Sequence, residues 1–190
     1  VNVNKEAIHK IYGDSSFSLK DLLGLPNDYD GSIQYEVVSG SSAVTVSSSG
    51  EVQISKPVEA SIKVKADKTD NYKAFEVTIP LVVAKKNLGQ INSSMIEWKS
   101  VTKVYDGKNT FEAEGELKSD TGLVGTDKIT VKANLQLESA NVGSQRTTIQ
   151  EISYTGPTDY YQYSSELQTG PNIDVTPKDF GRTAAQTAKQ

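Results

Sequence analysis

The sequence predicts an all-β chain built as two sandwich domains in tandem, and three observations carry that expectation. Apolar and polar residues alternate with a period of two along most of the chain, as half-buried strands require. Turn clusters rich in Gly, Ser, Asn and Pro interrupt these runs, and helical periodicity is nearly absent. A set of landmarks also recurs at an interval of roughly 90 residues.

The elements follow in order. Val1–Lys5 reads as the exit strand of a preceding unit, and Lys10-Ile11-Tyr12 as the first strand signal. The stretch from Ser18 to Gly24 is the one that leans helical: Ser18 caps it, Asp21 stands in the capping-box position and Gly24 ends it. That length gives a single turn bridging two strands. Strands are then expected at Ile33–Val37, Val44–Val46, Val52–Ile54, Ile62–Ala66 and Phe75–Ile79. The clearest alternation is Ile129–Leu137, where Ile129, Val131, Ala133, Leu135 and Leu137 share one face. Turns fall at Ser39–Ser42, Ser47–Gly50 and Thr155–Pro157.

The repeat sets the domain plan. Lys10-Ile11-Tyr12-Gly13-Asp14 with Phe17 echoes in Lys103-Val104-Tyr105-Asp106-Gly107 with Phe111. Leu81–Gly89 returns as Ile173–Gly181, and Thr69–Tyr72 as Thr158–Tyr161. The landmarks keep their order at separations of 93 (Tyr12 to Tyr105), 92 (Gly89 to Gly181) and 89 residues (Thr69 to Thr158). A unit of this size matches an immunoglobulin-like β-sandwich of roughly 100 residues. The domains are therefore set at residues 1–89 and 90–190, with the boundary in the short polar stretch Gly89–Ser94 and a short tail at Gly181–Gln190.

Composition limits the function classes. With 190 residues and a net charge of −4, the chain lacks the clustered basic surface that phosphate binding needs, so nucleic acid is not an expected partner. Its longest apolar stretch, Ile79–Ala84, is far too short for a membrane span. Cysteine is absent, which removes disulfides and thiolate metal sites. Starting at Val1 without a signal segment, the sequence reads as an interior piece of a longer protein.

On these residues the chain resembles the immunoglobulin-like repeats of bacterial cell-surface proteins. The second unit resembles a YDG-type repeat in Tyr105-Asp106-Gly107, in Gly125-Thr126-Asp127 ahead of the long strand, and in Asn141-Val142-Gly143. Tyr160-Tyr161 and the closing Val175-Thr176-Pro177-Lys178 extend the likeness. In the first unit Tyr12-Gly13-Asp14 inverts the Asp-Gly order, so the two are cousins, not copies. The resemblance implies export, an extracellular or cell-surface location and a role in stalks or cell adhesion, and it carries no catalytic residues.

A search for chemistry finds little. The single histidine, His9, lacks the partners of a hydrolytic triad or a zinc site, so no catalytic residue, cofactor or metal is expected. Asn27-Asp28-Tyr29-Asp30-Gly31 and Asp67–Asn71 read either as the start of a calcium loop or as Asx-type turns, the turn reading being favoured. Tyrosine is abundant, and Tyr154, Tyr160, Tyr161 and Tyr163 crowd together. Tyr160, Tyr161 and Tyr163 are the candidate stacking platform for a sugar; the competing reading places them in a core or at a sandwich corner. Trp98 reads as a core or interdomain plug. The expected function is a non-catalytic stalk segment that presents other domains, its neighbours being further immunoglobulin-like domains of the same chain. The alternative is an adhesin-type module that binds a glycan or a host or matrix protein.

Overall fold

The computed structural model describes residues 2–178, and the described chain is all-β: sixteen strands, one single-turn α-helix and three 3₁₀ turns. Val1, the Phe180-Gly181 end of the second landmark and the tail Gly181–Gln190 lie outside the described residues. Contacts divide the chain into two units. The first is Val1–Asn87 with Asp159–Gln162, and the second is Leu88–Thr158 with Tyr163–Gln190.

In the first unit the strands are β1 (Ile8–Ile11), β2 (Phe17–Ser18), β3 (Ile33–Ser39), β4 (Val44–Val46), β5 (Glu51–Ile54), β6 (Val58–Ala66) and β7 (Phe75–Ala84). They form one sheet in the order β1-β7-β6-β3 and another in the order β2-β5-β4. Period-two patterning decides which faces are buried. On β6, Ala60, Ile62, Val64 and Ala66 are buried, and on β7 Ile79, Leu81 and Val83 are buried with them. Cross-strand pairing sets Ala60 against Leu81 and Ile62 against Ile79. Val44 and Val52 of the smaller sheet are buried too. Burying each of the larger side chains stabilises by about 1.5–3 kcal/mol relative to leaving it in water.

The helix forms as the local signals predict. It spans Leu19–Leu22, and the Ser18 side chain accepts the Asp21 amide at 3.3 Å. Leu19 and Leu23 carry it into the core at 0% exposure. Residues 2–5 form no strand, contrary to the exit-strand expectation. Asn4 instead donates from its backbone to the Leu23 carbonyl at 2.8 Å and from its side chain to Leu22 at 3.2 Å. Those carbonyls have no partner within so short a helix. Pro80 is tolerated within β7 because β1 begins to pair one residue later, at Leu81, so the missing N–H falls where β7 is an edge.

The first half of the polar boundary stretch Gly89–Ser94 is strand. β8 (Lys86–Ile91) buries Ile91 at 1% exposure, and a 3₁₀ turn at Ser93–Met95 follows it. The second unit continues with β9 (Ile96–Trp98), β10 (Thr102–Val104), β11 (Thr110–Leu117), β12 (Thr130–Leu137), β13 (Gly143–Gln145), β14 (Thr147–Thr155), β15 (Tyr161–Ser165) and β16 (Ile173–Thr176). Its sheets run β14-β12-β11-β9 and β10-β16-β13, and β8 pairs with β15. The core joins the two larger sheets: Ala113, Ala133, Leu135 and Leu137 cluster with Ile173 and Val175 of β16. Trp98 packs against this cluster from β9, a core position.

Candidate functional site

The recurring Tyr-centred motif is the feature both units share, and the structure places it at the same corner twice. In the first unit β1 lies parallel to β7, with Ile11 opposite Ala84, and the Tyr12 amide donates to the Ala84 carbonyl at 2.8 Å. In the second unit β10 lies parallel to β16, with Val104 opposite Thr176, and the Tyr105 amide donates to the Thr176 carbonyl at 2.8 Å. The register is identical. The two landmarks that recur in the sequence, Lys-x-Tyr and the apolar run before Lys86 and Lys178, are the two sides of this pairing.

What holds the corner differs between units. Lys103 folds its side chain inward to 8% exposure, where its ammonium meets Asp106 Oδ1 at 3.0 Å. The same Nζ donates to the carbonyls of Lys108 and Thr110 at 2.7 and 2.6 Å. Three donors thus meet three acceptors, and the buried charge is satisfied. Asp106 also accepts the Lys108 amide at 2.9 Å, and that bond, joined by the Lys103 ammonium, holds its carboxyl below the ordinary value. Gly107 completes the turn at φ +75°, which a side chain would strain. In the first unit the inverted order puts the carboxylate one residue later. Asp14 accepts the Ile11 amide at 2.8 Å, and Lys10 turns to the Phe17 ring, 4.5 Å from its centroid. Sequence reading grouped Lys10 with Lys103 but missed the clamp; their shared place in the repeat was the available signal.

The candidate stacking tyrosines do not make one platform. Tyr161 is 2% exposed and stands edge-on to Tyr12 at 5.6 Å, so its face is spent inside the first unit. Tyr160 stacks edge-on to the same ring at 5.1 Å. Tyr163 is half-buried and contacts Tyr154 at 5.4 Å, while Tyr154 Oη and Ser165 Oγ share a hydrogen bond of 2.6 Å. Burial pushes the Tyr154 phenol above its usual pKa.

The two carboxylate-bearing segments, by contrast, come together. Tyr72 donates its hydroxyl to Asp28, and the Asn71 side chain donates to Asp30 at 3.0 Å. Tyr29 packs on Tyr72 at 5.2 Å and on Phe75 at 6.2 Å. The bond to Asp28, with burial, pushes the Tyr72 phenol up to about 12. These contacts tie two loops of the first unit to each other. Among the described residues no group of three or more His, Cys, Asp or Glu side chains is placed to hold a metal ion. His9 is exposed on β1.

The outer face of the sheet β14-β12-β11-β9 is polar and grooved. One depression of about 410 Å³ is lined by the polar residues Thr110, Glu112, Asn134, Gln136 and Gln150 together with the apolar Phe111 and Leu135. Asn134 lies between Glu112 and Glu151 in the ladder, and Gln150 donates to Gln136 at 3.1 Å.

No curated protein matches the chain. A YDG domain is found at residues 86–169, a stretch that takes in the Lys103–Gly107 corner, Asn141-Val142-Gly143 and Tyr160-Tyr161 and stops short of β16.

Proposed function

We propose that the chain is a non-catalytic stalk segment of a bacterial surface or secreted protein, two immunoglobulin-like β-sandwich repeats whose work is to bear load and present other domains. The observation that carries this reading is the parallel pairing that recurs in both units, β1 with β7 and β10 with β16, between the strand of the Lys-x-Tyr motif and the closing strand. In the first unit the chain enters at the start of β1 and leaves at the end of β7; in the second, β8 and β9 come before β10. Tension then drags the two strands past each other, and their hydrogen bonds share the load instead of breaking one at a time. The motif side chains fit this role, because Lys103, Asp106 and Asp14 are all spent on holding the corner. Stretching the chain by its ends in a single-molecule instrument tests the reading. Two separate unfolding events at high force support it; a gradual low-force extension sinks it.

A second reading, an adhesin-type module for a glycan or a host or matrix protein, draws its support from the polar groove on β11, β12 and β14. Sugars are held by amide and carboxylate side chains such as Asn134, Gln136 and Glu112. A glycan screen with Asn134→Ala and Gln136→Ala variants separates the two readings.

A further inference from the structure

We infer that the Tyr105 corner of the second unit is a docking point for a polypeptide segment that carries adjacent tyrosines. The inference starts from two equivalent positions with opposite exposure. Tyr12 and Tyr105 occupy the same place in the same register, each with its amide on the last paired carbonyl of the closing strand. Yet Tyr12 is 7% exposed and Tyr105 is 41% exposed. The cover on Tyr12 includes Tyr160 and Tyr161, adjacent in sequence, whose rings meet it edge-on at 5.1 and 5.6 Å. The first unit therefore shows what kind of group seats on this corner.

The bare corner of the second unit is shaped to receive such a group. β16 is paired on both sides here, with Gly143 opposite Val175 and Val104 opposite Thr176. Val104, next to Tyr105 in sequence, and Val142, next to Gly143, are 58% and 51% exposed, so two further apolar side chains are open to solvent at the ends of β10 and β13. Aromatic rings joined edge-to-face add attraction beyond the area they cover, and tyrosine is prominent among residues that anchor interfaces. The corner is also held in advance by Lys103 and by the left-handed Gly107, so little ordering remains to be done on binding. Asp106 and Lys108 supply a polar rim.

The test adds a synthetic peptide with the sequence of residues 156–165, Gly-Pro-Thr-Asp-Tyr-Tyr-Gln-Tyr-Ser-Ser, to the isotope-labelled full chain and follows amide shifts by NMR. Saturable shifts at Val104, Tyr105 and Val142 are expected, weakened about tenfold by Tyr105→Ala and preserved by Tyr105→Phe. A peptide with both central tyrosines changed to Ser should leave the spectrum unmoved. Three results overturn the inference: no shifts at millimolar peptide, shifts at Tyr12 alone, or shifts that Tyr105→Ala leaves unchanged. Self-association of the chain in sedimentation that Tyr105→Ala abolishes and the peptide does not compete also overturns it, and makes a second copy the occupant.

Discussion

At the scale of single residues, Lys103 is the most consequential side chain. Replacing it with Met keeps the length and apolar stem but removes all three donors, stranding the Lys108 and Thr110 carbonyls and the Asp106 charge. The acceptors lie at exposed residues, so water replaces part of what is lost and the cost is that of solvent-screened bonds, not of a broken buried pair. Lys103→Met is therefore expected to lower the urea midpoint of the second unit and leave the first unit's transition in place; coincident, unshifted transitions would show the clamp to be idle. Asp106 adds a pH dependence whose sign is fixed. Its folded pKa lies below that of an unfolded aspartate, about 3.9, so it stabilises the fold above about pH 4. That contribution fades as pH falls through the lower, folded value. Asp106→Asn should flatten this acid limb of a stability-against-pH curve by lowering the neutral plateau, with stability at low pH nearly unchanged. Tyr72 acts at the other extreme: its phenol is raised to about 12, so the Asp28 link is complete below about pH 10 and lost as pH rises through 12. Burial also raises Tyr29, Tyr35 and Tyr154, so tyrosinate absorbance should show one fewer late-titrating phenol in Asp28→Ala than in the native chain.

At the scale of elements, strands were legible and their partners were not. Ile33–Val37, Val44–Val46, Val52–Ile54, Ile62–Ala66 and Phe75–Ile79 all lie within β3 to β7, because each buries one face and alternation records that directly. Ile129–Leu137 became β12 for the same reason. Pairing across long separations leaves no such trace. The parallel contact of β10 with β16 joins residues more than 70 positions apart, and only the repeat hinted that these two segments belong together. The polar segment Gly89–Ser94 contains the end of a strand with one anchoring side chain, Ile91, which its composition does not reveal. The tyrosines misled in a related way: crowding in sequence says nothing about which ring meets which, and Tyr161 turned to Tyr12 while Tyr163 turned to Tyr154. Gly115 shows how tightly one pairing is drawn. It sits in β11 opposite Trp98 of β9, where a Cβ would lie 2.6 Å from the Glu97 carbonyl oxygen. Gly115→Ala must push β9 away and loosen Trp98 from the core, at a cost of about 1–3 kcal/mol. Chemical denaturation of this variant checks it, with loss of Trp98 fluorescence anisotropy as the local readout.

At the scale of the whole chain, the two units repeat a fastening and vary almost everything else. Beside the shared parallel pairing, the first unit's sheet runs on through β6 and β3, whereas the second stops at β13 and places its longer strands in the other sheet. A feature kept while its surroundings change points to the demand it answers, and a pair of strands sheared under tension is a device for resisting force. The demand can be isolated in the second unit because Tyr105 contributes a backbone bond there without a buried ring. Tyr105→Pro deletes the donor to Thr176, and Val104, already extended, suits the position before proline. At equilibrium the loss is one backbone hydrogen bond, about 1 kcal/mol. On the stalk reading the same bond carries part of the applied load, and forced unfolding follows the unfolding rate, not the equilibrium population. The force peak of the second unit should therefore fall by a larger fraction than its denaturant midpoint, with the first unit's peak unmoved. Equal fractional changes in both measurements would mean that the parallel pair bears no special load, and the stalk reading would lose its mechanical basis.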